Sequence, residues 1–251
     1  MKQHLVAFGG AAFDASAGLV TVPFIADGLI RASTNVMQLN ANWDIVTSYF
    51  GGPALSRVRL NSARSRIKGF PNLAPFQALA IGGDNPILCD MRMTPVKLYT
   101  GENVTIQATN TGAADTIGFL QLSEPNNMFE PPPPDSRRVR FTASCVCIAF
   151  GWSTASNIVF DDDLDAGIYQ VYGMSAFQAT LLGARLVFQS QVEKPGVVAN
   201  QTALQRPFPP YLIGMGKLGE FYSLVPPFIE ALANAAATIT VTGYLVISKV
   251  R

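Results

Sequence analysis

The chain has 251 residues, enough for one large domain or two of average size, and its net charge of +1 excludes strong global attraction to nucleic acid. Hydrophobic residues make up 49% of it and charged residues only 14%, against a globular norm of about 25% charged. No apolar run approaches the roughly 18 residues that a membrane-spanning helix requires. We therefore expect its apolar surface to be buried against other subunits.

The first half of the chain predicts short strands separated by turns. Runs rich in valine, isoleucine and phenylalanine, bounded by Gly, Asp and Ser, are typical of strands. They lie at 5–13, 18–26, 35–39, 44–50, 87–93, 96–99, 104–109 and 116–123. Segment 54–68 fits a helix or a strand, but Arg57 and Arg59 alternate with Val58 and Leu60, which favours a strand over 54–60. Segment 69–86 is rich in Gly, Pro and Asn and predicts a long loop.

The second half has the same style. Strands are predicted at 139–152, 157–160, 167–174, 179–189 and 237–250. Segment 193–210 reads as a long connection and 211–224 as mixed. Segment 228–236 fits a short helix, favoured by Glu230 and several alanines, or a strand and turn. Many short strands with few convincing helices predict an all-β fold of sandwich or barrel type.

Parts of the sequence occur twice. Leu39–Val46 resembles Leu164–Val171, and Gly118–Ser123 resembles Gly243–Ser248, both at a spacing of 125. Arg59-Leu60 has a counterpart in Arg185-Leu186 at a spacing of 126. Since 125 is close to half the chain length, the pattern predicts an internal duplication.

Four consecutive prolines, Pro131–Pro134, lie between the two halves. Prolines fix φ and donate no backbone hydrogen bond, so such a run favours a stiff polyproline II spacer of about 12 Å. This predicts a first domain over 1–128, a linker over 129–138 and a second domain over 139–251. The alternative is an edge loop within one domain.

The sequence contains little that indicates catalysis. His4 is the only histidine and lies close to an N-terminus expected to be mobile, so a Ser-His-Asp or Cys-His arrangement would have to use it. Gly214-Met-Gly216 lacks the third glycine of a dinucleotide-binding loop. We expect no enzyme activity, no catalytic residues and no cofactor.

The three cysteines, Cys89, Cys145 and Cys147, have neither a disulfide framework nor zinc-site spacing. Cys145 and Cys147 would share one face of a strand and are interpreted as small buried hydrophobic residues. Free thiols indicate synthesis in a reducing compartment such as a cytoplasm.

Two kinds of charged cluster are candidates for binding. Asp161, Asp162, Asp163 and Asp165 form either a solvated acidic turn or a structural cation site, although their spacing does not match an EF-hand. The basic clusters would contact phosphate, face solvent or pair with acidic residues of a neighbour. They are Arg57, Arg59, Arg64, Arg66 and Lys68, and Arg137, Arg138 and Arg140.

With its repeated blocks on either side of Pro131–Pro134 and its many strands, the chain resembles the double-jelly-roll major capsid proteins of tailless icosahedral viruses and phages. The resemblance is architectural, covers essentially the whole chain and includes no diagnostic motif. It implies two tandem eight-stranded jelly-roll barrels and a structural role in the virion. The family has no catalytic residues to carry over.

The resemblance also implies partners. These are two further copies in a homotrimer of pseudo-hexameric outline, neighbouring capsomers, other virion proteins such as penton or spike proteins, and an internal membrane in some relatives. Segments 69–86 and 193–210 would make contacts between subunits. The resemblance implies no sequence-specific binding of nucleic acid, a location in the capsid and synthesis in the host cytoplasm.

Two other classes of function remain open from the sequence. A carbohydrate- or receptor-binding β-sandwich, such as a spike, fibre or lectin-like module, would present exposed aromatic side chains, for which Trp43 and Trp152 are candidates. A cupin-type enzyme would need several histidines as metal ligands, and one is too few.

Overall fold

The computed structural model describes residues 2–28, 31–33, 35–62, 64, 88–125, 131–199 and 216–250. The regular elements in these ranges are all strands, so the all-β prediction is confirmed. The strands are β1 (Gln3–Phe13), β2 (Val20–Val22), β3 (Arg31–Ser33), β4 (Val36–Gln38), β5 (Trp43–Gly51), β6 (Leu55–Asn61), β7 (Cys89–Asp90), β8 (Val96–Leu98), β9 (Asn103–Asn110), β10 (Ala114–Ser123), β11 (Arg137–Cys147), β12 (Ser156–Asn157), β13 (Val159–Phe160), β14 (Ile168–Phe177), β15 (Leu181–Val187), β16 (Gly196–Val198), β17 (Gly219–Tyr222), β18 (Phe228–Ala233) and β19 (Ala237–Lys249).

The chain divides into two compact units. The N-terminal unit is Val6–Pro125, and the C-terminal unit is Asn126–Arg251 together with Met1–Leu5. The boundary near the start of the chain therefore falls within β1. The chain turns at the end of the proline run. The Pro133 carbonyl accepts a hydrogen bond from the Ser136 N–H at 2.9 Å, and β11 begins at the next residue.

The C-terminal unit has two sheets with a nested pairing scheme. Their strand orders are β13-β11-β19-β14-β17 and β12-β18-β15-β16. With the two-residue β13 set aside, eight strands remain, and the first pairs with the last, the second with the seventh, the third with the sixth and the fourth with the fifth. All these pairs are antiparallel, as in one long hairpin that is folded over to make two sheets.

The N-terminal unit follows much of the same scheme. Its first strand, β1, lies beside its last, β10, in the order β1-β10-β5-β7, with β8 also paired to β5. In the other sheet β9 pairs with β2 and β4 on one side and with β6 on the other. No counterpart of β16 is found among the described residues of this unit, and residues 65–87 lie outside them.

The two units share two β-bulges at equivalent places. Pairing of β10 with β5 skips Val46 at the step Gln121/Leu122, and pairing of β19 with β14 skips Tyr172 at the step Val246/Ile247. These steps are 125 residues apart, whereas the skipped residues are 126 apart. The sequence match of Leu39–Val46 with Leu164–Val171 at 125 is therefore one residue out of structural register.

The second bulge lies in the other sheet of each unit. Pairing of β6 with β9 skips Ser56, and pairing of β15 with β18 skips Leu182. Because a bulge places one extra residue in one strand and increases its local twist, two bulges in the same register give both units the same strand geometry. This is a stronger correspondence than the sequence blocks alone.

Alternation along the strands builds each core. In β11 every second residue from Val139 to Cys147 is buried, and the intervening ones are half-buried or exposed. In the N-terminal unit Phe8 stacks with Phe50 at 5.1 Å and meets Phe24 edge-on at 5.9 Å. Aliphatic side chains such as Ile106 pack with these rings in one buried cluster, and burial of such side chains stabilises the unit.

Several segments differ from their sequence-based expectation. The helical alternative for 228–236 is wrong, because β18 occupies Phe228–Ala233 between β12 and β15 and tertiary pairing overrides alanine propensity. Strand β16 lies inside the predicted connection 193–210, and the strand predicted over 18–26 is reduced to β2. The predicted loop 69–86 lies outside the described residues, as do residues 200–215.

Candidate functional site

The contacts of His4 are with neighbouring backbone and indicate a structural role. His4 is fully buried in β1, so the expectation of a mobile N-terminus at this residue is wrong. Its Nδ1 accepts a hydrogen bond from the Lys194 backbone N–H at 3.0 Å, and the Leu5 N–H donates to the Lys194 carbonyl at 3.0 Å. Lys2 Nζ lies 3.1 Å from a carboxylate oxygen of Glu193. These contacts hold residues 2–5 against residues 193–194.

Glu230 on β18 is the centre of a buried ion network. Its Oε2 accepts a hydrogen bond from Arg185 Nε at 2.6 Å, and its Oε1 accepts one from Lys194 Nζ at 2.6 Å. The side chains of Arg185 and Glu230 are only 3% and 10% exposed. The Arg185 guanidinium also lies 4.1 Å from the centre of the Trp152 ring. Such a paired set stabilises only while every charge keeps its partner, so we assign it a structural role.

The N-terminal unit has a counterpart of this network in which an amide takes the place of the carboxylate. Arg59 on β6 occupies the position of Arg185 on β15, and its Nε donates to Gln107 Oε1 at 2.8 Å. Gln107 stands opposite Arg59 as Glu230 stands opposite Arg185. The repeat of Arg59-Leu60 in Arg185-Leu186 was the sequence signal for this correspondence, but neither Glu230 nor Lys194 could be identified as a partner from sequence.

The basic cluster is only partly described. Arg57 and Arg59 point away from the core while Val58 and Leu60 point into it, which confirms the predicted strand. The guanidinium of Arg64 lies 4.3 Å from the centre of the Tyr99 ring. Arg66 and Lys68 lie outside the described residues. The structure therefore shows two outward-facing arginines on one strand.

We define the β6–β9 face as the outward surface of these two strands with β2 and β4. It is polar except for half-buried Val36 of β4, and its arginines are not accompanied by an acidic side chain within the set. Its polar residues are Thr21, Gln38, Ser56, Arg57, Arg59, Asn61, Asn103, Thr105, Gln107 and Thr109.

We define the β11–β19 face as the outward surface of the larger sheet of the C-terminal unit. Val146, Ile148 and Val159 are 64%, 60% and 62% exposed there, an unusual concentration of large apolar groups. Phe177 and Tyr244 are half-buried with their rings 6.2 Å apart. Hydroxyl-bearing residues fill the space between, as in the cross-strand pairs Thr142–Thr242, Ser144–Thr240 and Val146–Thr238.

The acidic segment borders this face. Asp161 accepts a hydrogen bond from Arg140 Nη1 at 3.0 Å, and the backbone N–H of Asp161 donates to the Arg140 carbonyl. Asp162, Asp163 and Asp165 are exposed. Within the described ranges no group of three or more His, Cys, Asp or Glu side chains is arranged to hold a metal ion. The segment is therefore an exposed acidic surface with one ion pair.

Two cavities lie at one end of the C-terminal unit. The larger, about 540 Å³, is lined by oppositely charged side chains that pair with each other, Lys2 with Glu193 and Lys217 with Glu220. The smaller, about 300 Å³, is lined by Phe188, Phe221, Tyr222 and Pro226 among others, with Gln189 and Glu220 at its polar side. Lys217 beside Glu220 holds the pKa of that carboxyl below its usual range.

The cysteines are not arranged as nucleophiles. Cys145 and Cys147 are buried on the core side of β11, as the sequence predicted, and burial raises the pKa of both thiols, that of Cys147 to about 11. A reactive cysteine needs a lowered pKa and access to solvent. Cys89 is half-buried, and partial burial raises its pKa as well.

The tryptophans do not form an exposed platform. Trp43 is 3% exposed in the core of the N-terminal unit. Trp152 is half-buried, and one face of its ring is occupied by Arg185. Their suggested role in stacking against a sugar is therefore wrong. Tyr222, which is 44% exposed and lines the smaller cavity, is an aromatic side chain that a sugar could reach.

The described residues contain no helix that is long and apolar enough to cross a membrane. Comparison with protein families, with curated proteins and with solved structures found no match to this chain.

Proposed function

We propose that the chain is the major subunit of an icosahedral virus or phage shell, with each unit folded as a jelly roll and three chains associated as a homotrimer. In this proposal the protein is structural and does not act as an enzyme. Its partners are further copies of itself, other virion proteins and, in a membrane-containing virion, the lipid beneath the shell. Its location is the capsid, after synthesis in the host cytoplasm.

The observation that carries this proposal is the nested pairing scheme, present in the C-terminal unit and largely repeated in the N-terminal unit with both bulges. A folded-over hairpin of eight antiparallel strands is the defining topology of a jelly roll, a fold common in viral capsid domains. Two such units in one chain would make a trimer six-lobed, because three chains would then supply six similar barrels.

The surface composition supports assembly. Only 14% of residues are charged, and three large aliphatic side chains of the β11–β19 face are at least 60% exposed. Interfaces between subunits are depleted in charge relative to the remaining protein surface. The surface that a subunit buries against its neighbours does not have to be solvated, so such a subunit needs few surface charges.

Light scattering on the purified protein tests the trimer. We expect a mass three times the 26.9 kDa of one chain at micromolar concentration. A monomer over the whole accessible concentration range would contradict the proposal, since the proposed shell is built from homotrimers.

A carbohydrate-binding module is the second candidate, and the smaller cavity is the observation in its favour. Tyr222 beside Glu220 and Gln189 combines an exposed aromatic ring with hydrogen-bonding groups. A monomer that binds glycans on an array and loses binding in Tyr222→Ala would establish this function in place of the shell.

A further inference from the structure

The equivalence of the two units allows their outward sheet faces to be compared residue by residue. On β15 and β18 the outward residues Arg185 and Leu232 are 2% and 0% exposed, and Leu182 in the bulge is 3% exposed. Their counterparts on the β6–β9 face are Arg59, Thr109 and Ser56, which are half-buried or exposed. The same sheet face is therefore covered in the C-terminal unit and open in the N-terminal unit.

The other sheet shows the reverse. In the N-terminal unit Tyr49, Ile117 and Phe119 lie outside the hydrophobic core cluster, on the opposite side of β5 and β10, and yet are 4%, 1% and 1% exposed. The counterparts of Ile117 and Phe119 on the β11–β19 face are Thr242 and Tyr244, both half-buried. The counterpart of Tyr49, Ser175, is 9% exposed, so the β11–β19 face is more exposed than its equivalent at Thr242 and Tyr244 but not at every position.

From this reciprocal burial we propose that the β6–β9 face of one copy of the chain packs against the β11–β19 face of a second copy. The proposal rests on the proposed shell function and assigns the surfaces through which the subunits of the trimer associate. Such a contact is heterologous, and three of them close a ring if the rotation between copies is a third of a turn.

The charges favour this pairing over contact of either face with itself. The β6–β9 face carries Arg57 and Arg59, so two such faces together would repel. The exposed charges of β11 and of the loop after β13 are Arg137, Arg138 and Arg140 against Asp161, Asp162, Asp163 and Asp165, so acidic groups are in excess by one. Asp162 and Asp163 make no ion pair within the described part of the chain and are available to the arginines of a neighbour.

The test uses one variant for each face. Arg57→Glu with Asn103→Glu reverses the charge of the β6–β9 face, and neither native side chain has a hydrogen bond within the described residues. Val146→Arg with Val159→Arg places cations on the β11–β19 face, at side chains 64% and 62% exposed. Lys97→Glu on β8, exposed on the other sheet of the N-terminal unit, is the control for charge reversal.

Masses are measured by light scattering over a concentration series, with far-UV circular dichroism to verify folding. We expect the wild type and Lys97→Glu to form trimers, and each double variant to raise the trimer dissociation constant at least tenfold. An equimolar mixture of the two double variants should form a heterodimer of twice the chain mass, because one intact face remains on each partner. Ile148→Arg, at a side chain 60% exposed, replaces the second variant if that one does not fold.

Trimers of unchanged stability in both double variants would overturn the assignment of these faces while leaving the shell function intact. A mixture that stays monomeric would also overturn it, since a heterologous contact must survive between complementary variants. A wild type that is itself monomeric would instead refute the proposed function.

Discussion

Removing the carboxylate of Glu230 is the sharpest test of the internal structure. In Glu230→Ala the guanidinium of Arg185, 3% exposed, and the ammonium of Lys194, 22% exposed, both lose their partner at 2.6 Å. Breaking a buried ion pair from one side costs about 3–5 kcal/mol, because the remaining charge stays desolvated. We expect a loss near the lower end of this range, about 3 kcal/mol, since Lys194 can reach solvent.

The N-terminal unit supplies the matched control. Gln107→Glu creates the same arginine–glutamate pair at the equivalent but half-exposed site of Arg59, where an ion pair contributes about 0–1 kcal/mol. Glu230→Gln keeps the side-chain shape and should lose less than the alanine variant. Urea unfolding followed by tryptophan fluorescence and circular dichroism measures the free energies of unfolding. A loss below about 1 kcal/mol in Glu230→Ala, or an equal change in Gln107→Glu, would refute the reasoning.

Three further predictions concern the core and the thiols. Gly118→Ala and Gly243→Ala, at matching positions of β10 and β19, should each lower the free energy of unfolding by about 1–3 kcal/mol, because the added Cβ would overlap the rings of Phe8 and Phe141 respectively. The control is Gly112→Ala, where the Cβ would face open space and the free energy of unfolding should change by less than about 0.5 kcal/mol. In the native protein Cys89 should react with a thiol reagent well before Cys145 and Cys147, and equal rates for all three would contradict their burial. The free energy of unfolding should fall as the pH rises from 9 to 11, because Cys147 keeps its proton in the folded state up to a pKa of about 11 whereas the unfolded thiol ionises near 9.0. Cys147→Ala should reduce this pH dependence, and an unchanged pH profile in that variant would assign the effect to other groups.

Local patterns predicted the strands well. Alternation of Arg57 and Arg59 with Val58 and Leu60 identified β6, and the equivalent alternation placed Cys145 and Cys147 on the core side of β11. These predictions succeed because strand geometry puts successive side chains on opposite faces, which requires no knowledge of the partner strand.

Features set by long-range contact were beyond the sequence. The partner of His4 is 190 residues away, so its burial could not be read from a position near the N-terminus. The bulges at Val46 and Tyr172 move β5 and β14 one residue out of the 125-residue spacing that β10 and β19 keep. Whether 228–236 forms a strand depends on the pairing of β18 with β15, since its alanines alone favour a helix.

The low charge content of the chain has a counterpart in the composition of its open and covered sheet faces. Buried outward faces, such as that of β15 and β18, carry Leu182 and Leu232 where the open β6–β9 face carries Ser56 and Thr109. The apolar excess of the chain thus lies partly on sheet faces that are covered within the chain. Three of the ten exposed large apolar side chains in the described residues, Val146, Ile148 and Val159, lie at the β11–β19 face, where the proposed contact with a second copy would bury them.

Electron microscopy of the purified, concentrated protein tests the central claim most directly. We predict particles of threefold symmetry with a six-lobed outline, or closed icosahedral shells, because three chains would supply six similar barrels. Single compact particles of one chain's mass at every concentration would contradict the account.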